Sequence, residues 1–565
     1  MPPLTPDQIA QLKTMFDQAL ALHQSGKLSE AGKLYGQILK HQPNHFGALH
    51  YLGVLALQSG KAEQGAELIQ KSIVINPQNP QAHSHLGNCL SGLNRNTEAL
   101  TSFENAIAHQ PSKPEHHYNR AFILGLLERP EEAVAGYDNA IKLKPDYAGA
   151  YNNRGNELRN LNHIDEAIAS FDKAIGLSPG NADAYNNRGN ALRSLERWDD
   201  ALINYDKALE LNPTDSGSHN NRGNVLCDLL RFKDAIGSYN IALAHAENKA
   251  HVNWNLSQCH LVLGNFDLGW PLYESRHQRP NAAPARIYKQ PLWLGKEDIS
   301  GKTLFVYWEQ GFGDTFQFCR YIELLKERHI NVVFQVEKPV LTLLKNLSSL
   351  AEIIGPNDPL PDFDFHCPLL SLPLAFKTDA KSVPANTPYL KADPEMIDQW
   401  ATRLGMQEKK RIGLVWRGSP THENDQNRSI DLFDLWPMLN EQAEFISLHV
   451  ELKDAERDLI DQNNSMTHYG SEINDFNDTA ALIDLMDLVI TVDTSVAHLA
   501  GAMGKPVWVL LPYKPDWRWQ LKRTDSPWYP SAKLFRQPEL SDWRSVVEHM
   551  QQELSAYLSD KSLDI

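Results

Sequence analysis

Proline recurs at Pro43, Pro77, Pro111, Pro145, Pro179 and Pro213, each 34 residues after the last. A period of that length confines the first half of the chain to stacked copies of one small unit. Other positions keep the same step: Gly155, Gly189 and Gly223; Ala99, Ala133, Ala167, Ala201 and Ala235; Phe103, Tyr137, Phe171, Tyr205 and Tyr239. Each residue type has a physical task. Gly155 and Ala167 suit the place where two antiparallel helices approach closely, which excludes large side chains. Phe171 fills the space between neighbouring units, and Pro179, lacking an N–H, ends the second helix. Turn sequences such as Ser178-Pro179-Gly180-Asn181 mark the joints.

A 34-residue unit with these small, aromatic and terminal proline positions is similar to the tetratricopeptide repeat. The expected fold is an α-solenoid over residues 1–275, a superhelix whose last, degenerate unit ends near Tyr273 and whose concave groove holds extended partners. Asparagines keep the period at Asn119, Asn153, Asn187, Asn221 and Asn255, with a second row at Asn156, Asn190 and Asn224 three residues on, hence on the same helical face. Asn88 begins that second row and Phe122 interrupts it. A carboxamide both donates and accepts, so such rows can pair with a peptide backbone whatever its sequence. They resemble the asparagine ladder of the protein O-GlcNAc transferases, which implies a protein or peptide acceptor in the groove. The plain alternative is that these amides bond to neighbouring helix ends.

Beyond Tyr273 the period dissolves. Residues 276–300, with Pro280, Pro284 and Pro291, read as a linker or an irregular packed arm. Short β-rich runs then alternate with helical ones, which predicts parallel sheets covered by helices: an α/β region of two Rossmann-like lobes, 301–390 and 391–565, the second closing on a C-terminal helix. In the first lobe a strand, Thr303–Trp308, precedes the loop Glu309-Gln310-Gly311-Phe312-Gly313-Asp314 and a helix from about Thr315, and Asn331–Val336 is a second strand. In the second, the run Arg411–Gly418 opens the lobe, Phe445–Leu448 is a further strand, and a strand from Asp487 ends at Asp493, followed by Thr494-Ser495-Val496-Ala497-His498 and the strand Pro506–Leu511. A helix starting at Thr494 or Ser495 presents free N–H groups and a positive dipole, which suits a diphosphate.

Gly-x-Gly-Asp after the first strand, together with Asp-Thr-Ser-x-x-His-Leu-x-x-Ala-x-Gly-Lys-Pro, resembles the heptosyltransferase-type glycosyltransferases of family 9 over roughly residues 300–545. The resemblance implies a GT-B enzyme that inverts configuration without a metal, taking a nucleotide-sugar as substrate and needing no cofactor. Asp314 then matches the family's general base, with Glu309 as the fallback; the bland reading of Asp314 is a helix cap. Gly311, Gly313, Asp493, Thr494, Ser495 and His498 are expected at the donor site, where the alternatives are a cap for Asp493 and a packed helix histidine for His498. Arg417 or Arg428 is expected to stabilise the departing diphosphate, against a reading of each as a surface ion-pair residue. Trp517, Arg518 and Trp519 either wall the cleft or simply pack. The block Ser526-Pro527-Trp528-Tyr529-Pro530 is not typical of heptosyltransferases, which leaves the sugar open.

A formal charge of -16, from 54 Lys and Arg against 70 Asp and Glu, argues against a nucleic-acid surface. Cys89, Cys227, Cys259, Cys319 and Cys367 have no metal-site or redox-motif spacing and suggest a reducing compartment. No apolar run is long enough to span a bilayer and no signal segment opens the sequence, so the cytoplasm is the expected location. Neither Asp362-Phe363-Asp364 nor His422-Glu423 has the context of a metal site, and none is expected. Solenoids often pair, which makes a homodimer one expected assembly. Two other functional readings stand beside a protein-modifying transferase: a scaffold whose transferase half is degenerate, and a transferase acting on a glycan or lipid.

Overall fold

The computed structural model describes residues 5–279, 282, 286–422, 424–439, 442–463 and 465–559; Pro280, Pro284 and Glu423 lie outside the described residues. The chain divides into two compact units, Met1–Val225 and Leu226–Ile565. That division falls inside the repeat array, although the 34-residue period runs on to about Tyr273.

Helices pair in the first unit as the period requires, for example Ala148–Asn160 with Ile164–Leu177. A Cβ on Gly155 would lie 2.6 Å from the Phe171 ring, so only glycine admits the aromatic there. Phe171 is fully buried among Leu158, Ala167 and Ala191, the last from the next repeat. The turn inside each repeat carries a second signature at the same spacing. Gly26, Gly60, Asn94, Glu128, Asn162 and Glu196 all take positive φ, between 57° and 78°. Each comes after a helix closed by a six-residue bond such as Arg95 N–H to Leu90 O at 2.9 Å. Leu230 and Gly264 continue the series in the second unit.

That unit begins with the end of the array: helices Phe232–His245, Ala250–Val262 and Phe266–Tyr273, then a 3-10 turn, Glu274–Gln278. The arm beyond it is a packed one where it is described, since Trp293 is buried and its backbone N–H donates to His366 O at 2.9 Å. Strands β1 (Thr303–Tyr307), β2 (Asn331–Gln335), β3 (Glu352–Ile354) and β4 (Phe365–Pro368) form a parallel sheet in the order β3-β2-β1-β4. A second parallel sheet holds β5 (Lys410–Val415), β6 (Ala443–Ser447), β7 (Thr467–His468), β8 (Leu488–Val492), β9 (Val507–Leu511) and β10 (Ala532–Arg536), in the order β10-β9-β8-β5-β6-β7. Continuous burial along β8 and β9 fits strands covered on both faces.

A solenoid succeeded by two parallel-sheet lobes is the expected architecture. Strands β3, β4, β7 and β10 went unanticipated, the first three being too short, at two to four residues, to show a period. β1 lies between β2 and β4, and β5 between β6 and β8. At such reversals of strand order the loops diverge and leave a crevice at the carboxyl ends. Among the described residues no helix is long and apolar enough to cross a membrane.

Candidate functional site

Both reversals carry the residues singled out from the sequence. The loop after β1 leads into the helix Phe312–Phe318, with Asp314 in its first turn; the loop after β8 leads into the helix Ser495–Ala502. These two helices pack together. At their contact a Cβ on Gly313 would fall 2.7 Å from Cδ2 of His498, so glycine is what lets the helices meet.

Asp314 serves two partners. One carboxylate oxygen accepts the Gly311 N–H at 3.1 Å, which is the helix-cap role; the other accepts from a terminal nitrogen of Arg518. Arg518 lies on the 3-10 turn Trp517–Trp519 and also donates to Asp516 (2.9 Å) and to Gln317 Oε1 (2.7 Å). Burial pushes the Asp314 carboxyl above its ordinary proton affinity, and the Arg518 guanidinium works against that rise. Glu309, the fallback base, is committed elsewhere: it accepts from Arg276 at 2.9 and 3.2 Å and from the Leu370 N–H at 3.3 Å.

His498 is buried, its Nδ1 2.9 Å from the Tyr529 hydroxyl and its ring stacked on Trp519 at 5.3 Å. Burial, then the cations Arg518, Arg320 and Arg428, hold it well below the usual histidine range, so it is a neutral imidazole. Its 4.0 Å approach to Asp493 is therefore a polar contact rather than an ion pair. Thr494 precedes the helix Ser495–Ala502, yet its hydroxyl meets Thr491 Oγ1 at 3.1 Å, and no side chain caps that helix among the described residues. Ser495 is half-buried at the first position.

Arg428 donates to Asp493 O at 2.9 Å and so stands at the end of β8. Arg417 is differently placed. It is held by Glu456 (3.1 Å) and Glu451 O (2.5 Å), and it lines a cavity of about 480 Å³ with Phe433, Asp431, Leu452 and Lys453. The cation brought against Asp314 is instead Arg518, for which the sequence offers only a cleft-wall or packing role. A second carboxylate went unnoticed: Glu337, just past β2, accepts from Thr315 Oγ1 at 3.0 Å, and burial pushes it up to about 7. Its place after a strand of the first lobe was the available signal.

The asparagine rows of the first unit use their amides sideways. Asn153 donates to Tyr118 Oη (2.9 Å), Asn187 to Asn152 Oδ1 (3.1 Å) and Asn221 to Asn186 Oδ1 (3.0 Å), each partner lying 35 residues earlier on the preceding repeat. His85 and His50 make the corresponding contact at 2.8 Å. Asn119 is half-buried; in the second unit Asn255 lies 3.4 Å from His251. For Asn153, Asn187 and Asn221 the partners are thus adjacent repeats rather than helix ends, whereas Asn190 Oδ1 accepts from Tyr205 of its own repeat at 2.7 Å.

Asp493 allows a pH test. Burial, helped by the Asp516 carboxylate and opposed by Arg428 and Arg518, raises its carboxyl from 3.8 to about 6. Folding then takes up a proton between about pH 4 and pH 6, and the ionised group opposes folding above that window. Asp493→Asn is expected to be the more stable protein at pH 7.5, by on the order of 1–3 kcal/mol, with the difference vanishing near pH 4. Thermal melts of both proteins across this range check it.

Comparison with known proteins bears on both halves. Residues 473–553 match the family model "Glycosyltransferase family 9 (heptosyltransferase)". Tetratricopeptide-repeat models match 22–89, 86–148, 155–192, 182–215 and 204–244. Protein FlbA of Caulobacter vibrioides is 24% identical over 317 residues, covering 51% of this chain and 52% of that protein. The chain thus spans about half the length of this curated relative. Among solved structures, YrrB, described as a TPR protein with an unusual peptide-binding site, is 22% identical over 33% of this chain and 95% of its own, with a TM-score of 0.29. A tetratricopeptide repeat protein from Parabacteroides merdae is 15% identical over 43% and 97%, with a TM-score of 0.37.

Proposed function

Because the chain joins tetratricopeptide repeats to a segment of the glycosyltransferase family 9 (heptosyltransferase) type, we propose that it moves a sugar from a nucleotide-sugar to a protein or peptide held by the repeats. The observation that carries this reading is the close approach of Gly313, next to Asp314, to His498 of the uncapped helix Ser495–Ala502. A base and an anion-binding helix end stand on facing lobes, as a single displacement requires.

In this reading the donor diphosphate lies at the N–H groups of Ser495 and its neighbours. Arg428 and Arg518 offset the charge that grows as the glycosidic C–O bond breaks. The nucleoside occupies the cavity beside Arg417, where the largely exposed Phe433 offers a ring face. Asp314 takes the proton of the acceptor hydroxyl while its oxygen attacks the anomeric carbon from the side opposite the diphosphate, so configuration inverts. No metal is required by this arrangement of charges, and the half-buried amides of the repeats supply bonds to an extended backbone.

A second reading is favoured by one fact: Asp314 is already paired with Arg518, as in a transferase half retained only as scaffold. Titration calorimetry with a panel of sugar nucleotides separates the two. Binding of one donor, then a mass increase of one sugar on a captured protein, supports protein glycosylation. A donor that binds while sugar appears only on glycan or lipid redirects the acceptor. No binding by any donor overturns the transferase.

A further inference from the structure

We infer that Arg276, in the turn that ends the repeat array, is a positioning residue of the transfer site, fixing the loop that carries Asp314 through its fork on Glu309. This rests on the transferase reading above.

The Arg276 side chain is 2% exposed. Nε and one terminal nitrogen grip the two oxygens of Glu309; the other terminal nitrogen meets Glu274 at 2.7 Å, and Ser371 Oγ accepts at 2.7 Å. The guanidinium also lies 5.1 Å from the centre of the Tyr273 ring. Glu309 in turn accepts the Leu370 N–H, so one ion pair ties the loops after β1 and β4 to the end of the array. A planar fork does this and a lysine ammonium does not.

The position of Glu309 matters because of its neighbours in the chain. Gln310 is in the left-handed region at φ 54°, where a Cβ crowds the following carbonyl and strains the backbone. Gly311 comes next and is held by Asp314. Between the pinned Glu309 and the pinned Gly311 stands a single strained residue, so a shift of the first reaches the second. The same repeat touches the other holder of Asp314: Trp270 and Tyr273 lie against Trp517, beside Arg518, at 5.3 and 6.3 Å between ring centres. Trp270 is anchored by its N–H on Thr378 O at 2.9 Å. Both constraints on the candidate base therefore originate in residues 270–276.

Arg276→Ala would leave two half-buried carboxylates, Glu274 and Glu309, without their guanidinium and is the variant most prone to fail in folding. Arg276→Lys and Glu309→Gln are the informative changes, alone and combined, read by amide hydrogen exchange over residues 309–314 and by turnover and affinity of the sugar nucleotide that binds in calorimetry. Exchange is expected to quicken about tenfold or more in that loop alone. The turnover number should fall about 10- to 100-fold with donor affinity within a factor of two, and the double variant should be no worse than the single ones. Wild-type exchange and turnover in both variants, or a uniform loosening of the whole unit, would overturn the inference. If no donor binds the unaltered chain, the transferase reading fails, and loop-selective exchange still decides the role of Arg276.

Discussion

Asp314→Asn is expected to lower sugar transfer by about 10²- to 10⁴-fold while donor affinity stays within a factor of about three, since the change removes a proton acceptor and not a phosphate contact. The fold should survive. The asparagine carbonyl can still accept the Gly311 N–H, and Arg518 keeps Asp516 and Gln317 as partners. A residual rate close to the unaltered protein's would exclude Asp314 as the base. The pH profile offers a second check. The base works ionised, and Arg518 is what restrains its raised proton affinity. Arg518→Gln should therefore move the acid limb of turnover to higher pH, and an unmoved limb would separate Arg518 from the base.

Gly313→Val is expected to cost at least about 100-fold in turnover, because it strikes a close contact between the lobes. A Cβ there meets His498 Cδ2 at 2.7 Å, and His498 cannot easily yield, being held by Tyr529 and stacked on Trp519. Two helix starts must then separate. The loss of stability should be smaller than the loss of function, about 1–3 kcal/mol as for overpacked cores. Gly313→Ala should fall between. Denaturant unfolding beside initial-rate kinetics distinguishes a displaced site from an unfolded one, and a valine variant with full turnover would show that the helices need no close approach.

Much of the fold was legible because it is local or periodic. Pro179, Gly155 and Phe171 repeat at a fixed step, and the strand before Asp493 is a plain run of buried residues. The site was legible only as far as single loops extend. Asp314 and Asp493 each come after a strand and precede a helix, which a sequence displays. Their partners are brought by the fold: Arg518 stands 204 positions from Asp314, and Arg276 stands 33 from Glu309 across a proline-rich arm. No spacing rule reaches that far, so the motifs point to Arg417 and Arg428 and not to Arg518, the cation that pairs with Asp314. The asparagine rows show the same limit. Their period was evident, but their bonds to positions 35 residues back depend on how one repeat leans on the next.

The boundary at Val225 and Leu226 bears on how such a chain can change length. The 34-residue modules ahead of it can be added or removed in number without touching Trp270, Tyr273 and Arg276, which lie beyond it. Evolution, or a protein engineer, is thus free to tailor the handle, provided that its final turn is inherited together with the blade.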